Sequence, residues 1–236
     1  TGFQRESVPR QSFANWLRHL PLKPAGTPVR LFNGALKANQ SVHHALIDID
    51  TGNRDLQQCA DAVMRLRAEY LYFSRQYTNI VFNFTSGDPC RFDWWYSGYR
   101  PVVTGNRVNW KKQAGFDYGY PNFRKYLTKV YAYAGTLSLE RELDPRASVA
   151  NMQIGDVFIK GGSPGHAVIV LDMAAKSGSA EKVFLLGQSY MPAQDFHILK
   201  NPNSPDRSPW YAITICGDLA TPEWRFDWSQ LKHFPE

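Results

Sequence analysis

No run of apolar residues approaches the roughly 18 needed to span a bilayer, and the 236 residues contain no internal repeat, low-complexity tract or Ser/Gly linker. A membrane helix is therefore excluded, and a single domain is the expected organisation. Cysteine is scarce. Cys59, Cys90 and Cys216 form no Cys-x-x-Cys pair and have no metal-type spacing with the six histidines, so no metal site is expected and a disulfide-stapled miniprotein is ruled out. Basic blocks are missing too: 27 Lys and Arg against 21 Asp and Glu leave a net charge of +6, but the charges are scattered and signal no nucleic-acid partner.

The residues that are present describe an ordinary globular chain, 43% hydrophobic and 20% charged, with ample length for a core. Aromatics are the unusual feature, with 7 Trp, 12 Tyr and 14 Phe. The chain starts at Thr1 rather than Met, so a preceding segment is expected to have been either removed or left out of this sequence, leaving location to indirect clues. An odd number of cysteines leaves at least one thiol even if two pair, and in an exported protein such a thiol is a candidate nucleophile. Cys90 follows Asp88-Pro89 and Cys216 ends a β run; a disulfide between them and two separate thiols both stay open.

One domain over 1–236 is expected, with a long insertion at about 85–120. Ser12 to Leu20 reads as a short helix stopped by Pro21 and Pro24, and Thr27 to Phe32 and Val42 to Ile49 read as extended. The clearest helix starts at Asp55 as its cap, with Gln58 completing a capping box. Its apolar positions Leu56, Cys59, Val63, Leu66, Tyr70 and Phe73 are spaced 3, 4, 3, 4, 3, an amphipathic stripe that leaves Asp61 and Arg65 to pair weakly on the outer face. A strand is expected at Asn79 to Phe84. Phe92 to Phe123 then holds ten aromatics among Gly, Arg, Asn and Pro, too long for a plain connection, and suggests a lid or binding surface. Pro121 opens a further helix through Phe123, Leu127, Val130, Tyr131 and Ala134. Short β runs follow at Ile154 to Ile159, Ala167 to Leu171, Val183 to Leu186 and Tyr211 to Ile215. The pattern predicts an α+β fold with N-terminal helices packed on an antiparallel sheet.

His166 opens a strand directly after a Gly-Pro-Gly loop, where the sheet can fix its ring beside an open cleft. Cys59, near the start of its helix, is the matching nucleophile: unpaired amides and the helix dipole favour thiolate, and a nearby imidazolium would favour it further. Gln188 ends the next strand and can orient the imidazole. The competing reading of Cys59 is a buried core thiol, since it falls on the apolar stripe. His43, His44, His19 and His197 read as structural or solvent-facing.

The runs Gly155-Asp156-Val157-Phe158-Ile159, Pro164-Gly165-His166-Ala167-Val168-Ile169-Val170 and Phe184-Leu185-Leu186-Gly187-Gln188 resemble the β core of NlpC-type papain-like cysteine peptidases and amidases. Gln57-Gln58-Cys59-Ala60-Asp61-Ala62 resembles the nucleophile helix of that group, and the chain order Cys, His, polar residue is the same. SFANWLRHLPLKP and DLQQCADAVMRLRAEYLY also resemble an uncharacterised bacterial exported domain family of unknown function. The resemblance implies a papain-like, NlpC-like fold and a cysteine-dependent amide hydrolase. Cys59, His166 and Gln188 would be its catalytic set, backbone N–H groups with Gln57 or Gln58 would hold the oxyanion, and no cofactor would be needed. It implies a cell-envelope peptide or peptidoglycan substrate and a periplasmic or cell-surface monomer.

Trp94, Trp95, Tyr96, Trp110 and Tyr118 are expected to form a substrate-binding wall. Two other functions remain open. A carboxylate-dependent glycoside hydrolase would draw on Glu69, Asp93 and Asp117 beside the aromatic region, although no spacing singles out a pair. A non-catalytic module would use the same aromatics to hold glycan or peptide.

Overall fold

The computed structural model describes residues 2–213 and 217–235. Among them are fifteen strands and five α-helices, all five helices preceding β7. In chain order the first are β1 (Phe3–Arg5), α1 (Phe13–Arg18), β2 (His43–Leu46) and α2 (Cys59–Phe73). Next come β3 (Val81–Asn83), β4 (Pro89–Arg91), α3 (Phe92–Tyr96), β5 (Tyr99–Thr104), β6 (Arg107–Lys112), α4 (Tyr120–Tyr133) and α5 (Thr136–Glu142). The last are β7 (Asp144–Pro145), β8 (Val157–Lys160), β9 (His166–Lys176), β10 (Lys182–Gln188), β11 (His197–Leu199), β12 (Tyr211–Ala212), β13 (Leu219–Ala220), β14 (Arg225–Phe226) and β15 (Leu231–His233).

The body is a nine-stranded antiparallel sheet in the order β2-β11-β10-β9-β8-β15-β7, with β1 added to β9 and β12 to β10. The mixed α/β class and the antiparallel sheet agree with the expectation from sequence. β9 is buried from His166 to Ala174, nine residues in succession, because both faces of this central strand are covered. That is why its sequence, HAVIVLDMA, runs apolar without alternation. On one face, α2 packs its Ala, Val, Met and Leu side chains against the sheet. On the other, Phe158, Phe184, Tyr211, Phe226 and Trp228 form an aromatic layer with ring centroids 5.6–6.4 Å apart. Each fully buried apolar side chain contributes about 1.5–3 kcal/mol.

Several local expectations need correction. α2 starts at Cys59, not Asp55, with Gln58 as its N-cap; the Asp61 carboxylate accepts the Gln58 backbone N–H at 3.1 Å. It is buried all round rather than amphipathic, since Asp61, Arg65 and Glu69 are interior while Phe73 is exposed. Arg65 is therefore not a surface partner of Asp61. Its guanidinium donates to Gln57 Oε1 at 2.7 Å, Asp50 Oδ1 at 2.8 Å and Glu69 Oε1 at 3.3 Å. Thr27 to Phe32 contributes only isolated bridges at Arg30 and Leu31. The stretch at 85–120 is not an irregular lid: it holds β4, which pairs back to β3, then α3 and the regular hairpin β5–β6. The β run expected at Tyr211 to Ile215 is seen as β12, and its last two residues, with Cys216, lie outside the described residues.

Candidate active site

Three chain segments converge at the Cys59 end of α2. Asp55 fixes the approach to the helix: its Oδ1 accepts the Ala193 N–H at 2.7 Å and the Gln58 side-chain amide at 2.9 Å. The Ser189 hydroxyl, just past β10, lies 3.2 Å from the Gln57 carbonyl and 2.9 Å from that of Gln194. These bonds pin the helix start to the end of the strand that carries Gln188. The first helical hydrogen bond runs from Ala62 N–H to the Gln58 carbonyl, so the N–H groups of the three residues before it have no partner within the helix.

His166 is placed by the turn that precedes β9. Gly161 N–H donates to Glu140 Oε1 at 2.9 Å, and the Thr136 hydroxyl donates to the Gly162 carbonyl at 3.2 Å. Gly165 passes so close to the Gly162 carbonyl and Thr136 Oγ1 that a side chain there has no room. The imidazole is 2% exposed and packed among Tyr190, Trp224 and Phe226, with centroids at 4.8, 5.4 and 5.9 Å. Its Nε2 lies 2.7 Å from Gln188 Oε1.

Cys59 and His166 line one cavity of about 500 Å³, shared with Gln58, Asp61, Tyr131 and Trp224. Burial pushes the Cys59 thiol up to about 11, with the Asp61 carboxylate adding to the rise against the N–H groups of Ala167, Ala60 and Cys59 itself. Burial likewise pushes His166 down to about 4, opposed by its bond to Gln188 and assisted by Lys37. The resting pair is a neutral thiol and a neutral imidazole, whereas the sequence argument from helix amides favoured thiolate. Desolvation outweighs the dipole here.

Asp61 is 6% exposed, and burial raises its carboxyl to about 8. Its Oδ1, the Tyr131 hydroxyl and Trp224 Nε1 are buried at this cavity without a partner among the described residues. They are the polar groups left over for a ligand.

The sequence-derived set thus divides. Cys59, His166 and Gln188 come together, and Gln58 lines the same cavity. Gln57 does not: its side chain is committed to Arg65 and Asp50. None of Trp94, Trp95, Tyr96, Trp110 and Tyr118 lines this cavity; its aromatic walls are Tyr131, Tyr190 and Trp224. Trp95 is buried with its Nε1 on Asn122 at 2.9 Å and Arg100 over its ring at 4.0 Å, and Trp94 packs edge-on to Trp110 at 5.3 Å. Trp95 thus seats the insertion, while Trp94 and Tyr118 remain exposed. Of the carboxylates, Asp93 is clamped by Arg91, Asp117 caps Gly119 N–H, and Glu69 accepts from Tyr120 at 2.7 Å and from Arg65. Cys90 is a fully buried thiol in β4, held well above its ordinary pKa by burial.

Sequence reasoning missed four contributors. His197, expected to be structural or solvent-facing, is fully buried in β11; its Nδ1 lies 2.9 Å from the Asp195 carbonyl and its Nε2 3.5 Å from Gln188 Nε2. Glu223 and Trp224 sit at the tip of the β13–β14 hairpin, where Thr221 N–H donates to the Trp224 carbonyl at 2.8 Å. Glu223 accepts from Gln188 Nε2 at 3.1 Å and from Lys37 Nζ at 2.7 Å. The Gln58–Asp61 spacing was a readable capping signal; the two Glu223 contacts bridge 35 and 186 residues of chain and left no local trace.

A larger cavity, about 890 Å³, lies between α1 and the second half of α2. Its buried charges, Arg65 and Glu69, are satisfied by each other, Asp50, Gln57 and Tyr120, so that hollow carries no group in need of a ligand.

The fold and the cavity define a mixed α/β protein with a cysteine, histidine and glutamine cluster where a buried helix meets a central strand. The chain belongs to the family described as Domain of unknown function (4846), whose model matches residues 1–233. No curated protein and no solved structure matches it.

Proposed function

We propose that the protein is a cysteine-dependent amide hydrolase with a papain-like, NlpC-like arrangement of helix and sheet. The observation that carries this reading is the shared cavity: Cys59 is the first residue of α2, and His166, with its Nε2 on Gln188 Oε1 at 2.7 Å, lines the same hollow. A buried core cysteine has no reason to share a cavity with an oriented imidazole and unpartnered polar atoms.

In this mechanism His166 Nδ1 takes the Cys59 proton as sulfur attacks the amide carbonyl, forming the S–C bond. The oxyanion lies against helix-terminal N–H groups, which are already oriented and need no reorganisation. His166 returns the proton to the departing nitrogen as the C–N bond breaks, leaving a thioester. Water, deprotonated by the same imidazole, then releases the acid and regenerates the thiol. Neutral starting groups suit this cycle, because the base is available well below pH 7 and proton transfer accompanies attack. The substrate is an amide in a cell-envelope peptide or peptidoglycan fragment, acted on outside the cytoplasm by a monomer. The cavity of about 500 Å³ admits a short peptide segment rather than a folded chain.

The test is turnover of muropeptides and short peptides, read by mass spectrometry as a new amine and a new acid. Cys59→Ala and His166→Ala should each abolish it. Hydrolysis that survives Cys59→Ala would sink the proposal.

A further inference from the structure

Both ends of the Gln188 amide are engaged, and the chemistry of its partners decides which end is which. Its nitrogen lies 3.1 Å from Glu223 Oε2 and 3.5 Å from His197 Nε2, and its oxygen 2.7 Å from His166 Nε2. An ionised carboxylate only accepts. The other Glu223 oxygen receives Lys37 Nζ at 2.7 Å, which fixes its rotamer. His197 agrees: Nδ1 faces the Asp195 carbonyl at 2.9 Å, so it carries the proton and leaves Nε2 as a lone pair facing Gln188. Two acceptors on one side require the NH₂ there, so the Gln188 oxygen must face His166, whose Nε2 must then bear the hydrogen.

We propose that Glu223, held by Lys37, is a positioning residue that sets the polarity of the Gln188 amide and, through it, the tautomer of His166, keeping Nδ1 free as the base. Glu223 touches neither Cys59 nor His166; it acts one residue removed. It is also mostly buried, with 15% of its side chain exposed against 9% for Lys37, so the pair is well shielded from solvent. The hairpin that presents Glu223 also presents Trp224 over the imidazole, so one turn orients the ring and covers it. The consequence for catalysis rests on the hydrolase reading, but the tautomer itself does not.

The variant that separates polarity from shape is Glu223→Gln. It has nearly the same volume, but Lys37 still demands an oxygen, so the new NH₂ is turned toward Gln188. The closer NH₂ of the new residue outweighs His197 Nε2, which lies 3.5 Å from the Gln188 amide, so that amide rotates, presents NH₂ to His166 and drives the proton to Nδ1. Removing that demand with Lys37→Met in the same protein lets the introduced oxygen face Gln188 and restores the original order.

The experiment is proton–nitrogen NMR of the His166 ring in protein labelled with ¹⁵N-histidine, at pH 7, on the full chain. The expected result is Nε2–H in the wild type, Nδ1–H in Glu223→Gln, and a return to Nε2–H in the double variant. Cys59 alkylation by iodoacetamide should fall about a hundredfold in Glu223→Gln, the scale of a lost general base. An unchanged tautomer in Glu223→Gln overturns the proposal. So does Nδ1–H in the wild type, a result that needs no variant to fold. If the tautomer moves as expected while Cys59 stays inert throughout, the positioning role stands and the hydrolase reading falls.

Discussion

Asp61→Asn probes the energetic cost built into the cavity. The wild-type carboxyl is 6% exposed; one oxygen accepts the Gln58 N–H and the other has no partner among the described residues, and burial raises its pKa from 3.8 to about 8. Between these values the folded protein keeps a proton that the unfolded chain has released. Stability from this group is therefore fully present below about pH 4 and is lost as pH rises toward 8. One proton is worth about 1.4 kcal/mol per pH unit, so the wild type should lose about 3 kcal/mol from this source between pH 5 and 7. For a domain of this size that is roughly 6–10 °C in Tm. Asparagine can accept the same N–H and has no proton to release, so its curve should lack this slope. Glu142, raised to about 7 by burial, and His166 and His197, both lowered to about 4 by burial, titrate in both proteins and cancel in the difference. Thermal unfolding of the two proteins at half-unit steps of pH gives that difference directly. Parallel curves would refute the reasoning. Because the Asp61 charge also holds the Cys59 thiol up, Asp61→Asn should ionise that thiol at lower pH.

Other perturbations have equally definite outcomes. Gly165→Ala forces a methyl onto the Gly162 carbonyl and Thr136 Oγ1, and should cost about 1–3 kcal/mol in denaturant unfolding while displacing His166, read by its ring resonances. Arg65→Met removes the cation on which the buried Glu69 carboxylate depends, so a loss of about 3–5 kcal/mol is expected in the same assay; a change under 1 kcal/mol would show that Glu69 is content with Tyr120 alone. Cys90, fully buried, should label with iodoacetamide only after unfolding, and Cys90→Ser should leave labelling of Cys59 as it was. Trp110→Ala should also leave that labelling unchanged, since Trp110 packs against Trp94 and lies outside the Cys59 cavity; a large effect would return the insertion to the site.

The sequence was legible where chemistry and local pattern coincide. His166 after Pro164-Gly165, the apolar run of β9 and the final Gln188 of β10 mark two adjacent strands, and their register puts the imidazole and the amide within hydrogen-bond distance. The α2 helix was also visible, but its start was displaced by one turn: Asp55 looks like a cap, yet its carboxylate is spent on Ala193 and Gln58, and Asp61 caps from inside. Spacing alone could not show that Arg65 and Glu69 are interior, since a buried ion-pair network has the same letters as a solvated helix face. The aromatic stretch misled for a related reason: Phe92, Trp95 and Phe123 are the hydrophobic seat of α3 and α4, a packing role with the composition of a binding surface. Glu223 and Lys37 were invisible because a contact across 186 residues depends on the whole sheet being formed.

The central claim, that Cys59 and His166 act as one unit, is tested most directly by the pH dependence of Cys59 alkylation in the wild type and in His166→Ala. A thiol pushed up to about 11 beside an imidazole pushed down to about 4 forms a pair with one titratable proton between those limits. The predicted profile rises as His166 loses its proton near pH 4, stays level across neutrality, and changes again only as the thiol itself ionises. In His166→Ala the plateau should vanish, leaving a rate that climbs tenfold per pH unit through the same range. A wild-type profile without a plateau, identical to that of His166→Ala, would mean that the thiol and the imidazole share a cavity but not a proton, and would contradict the account.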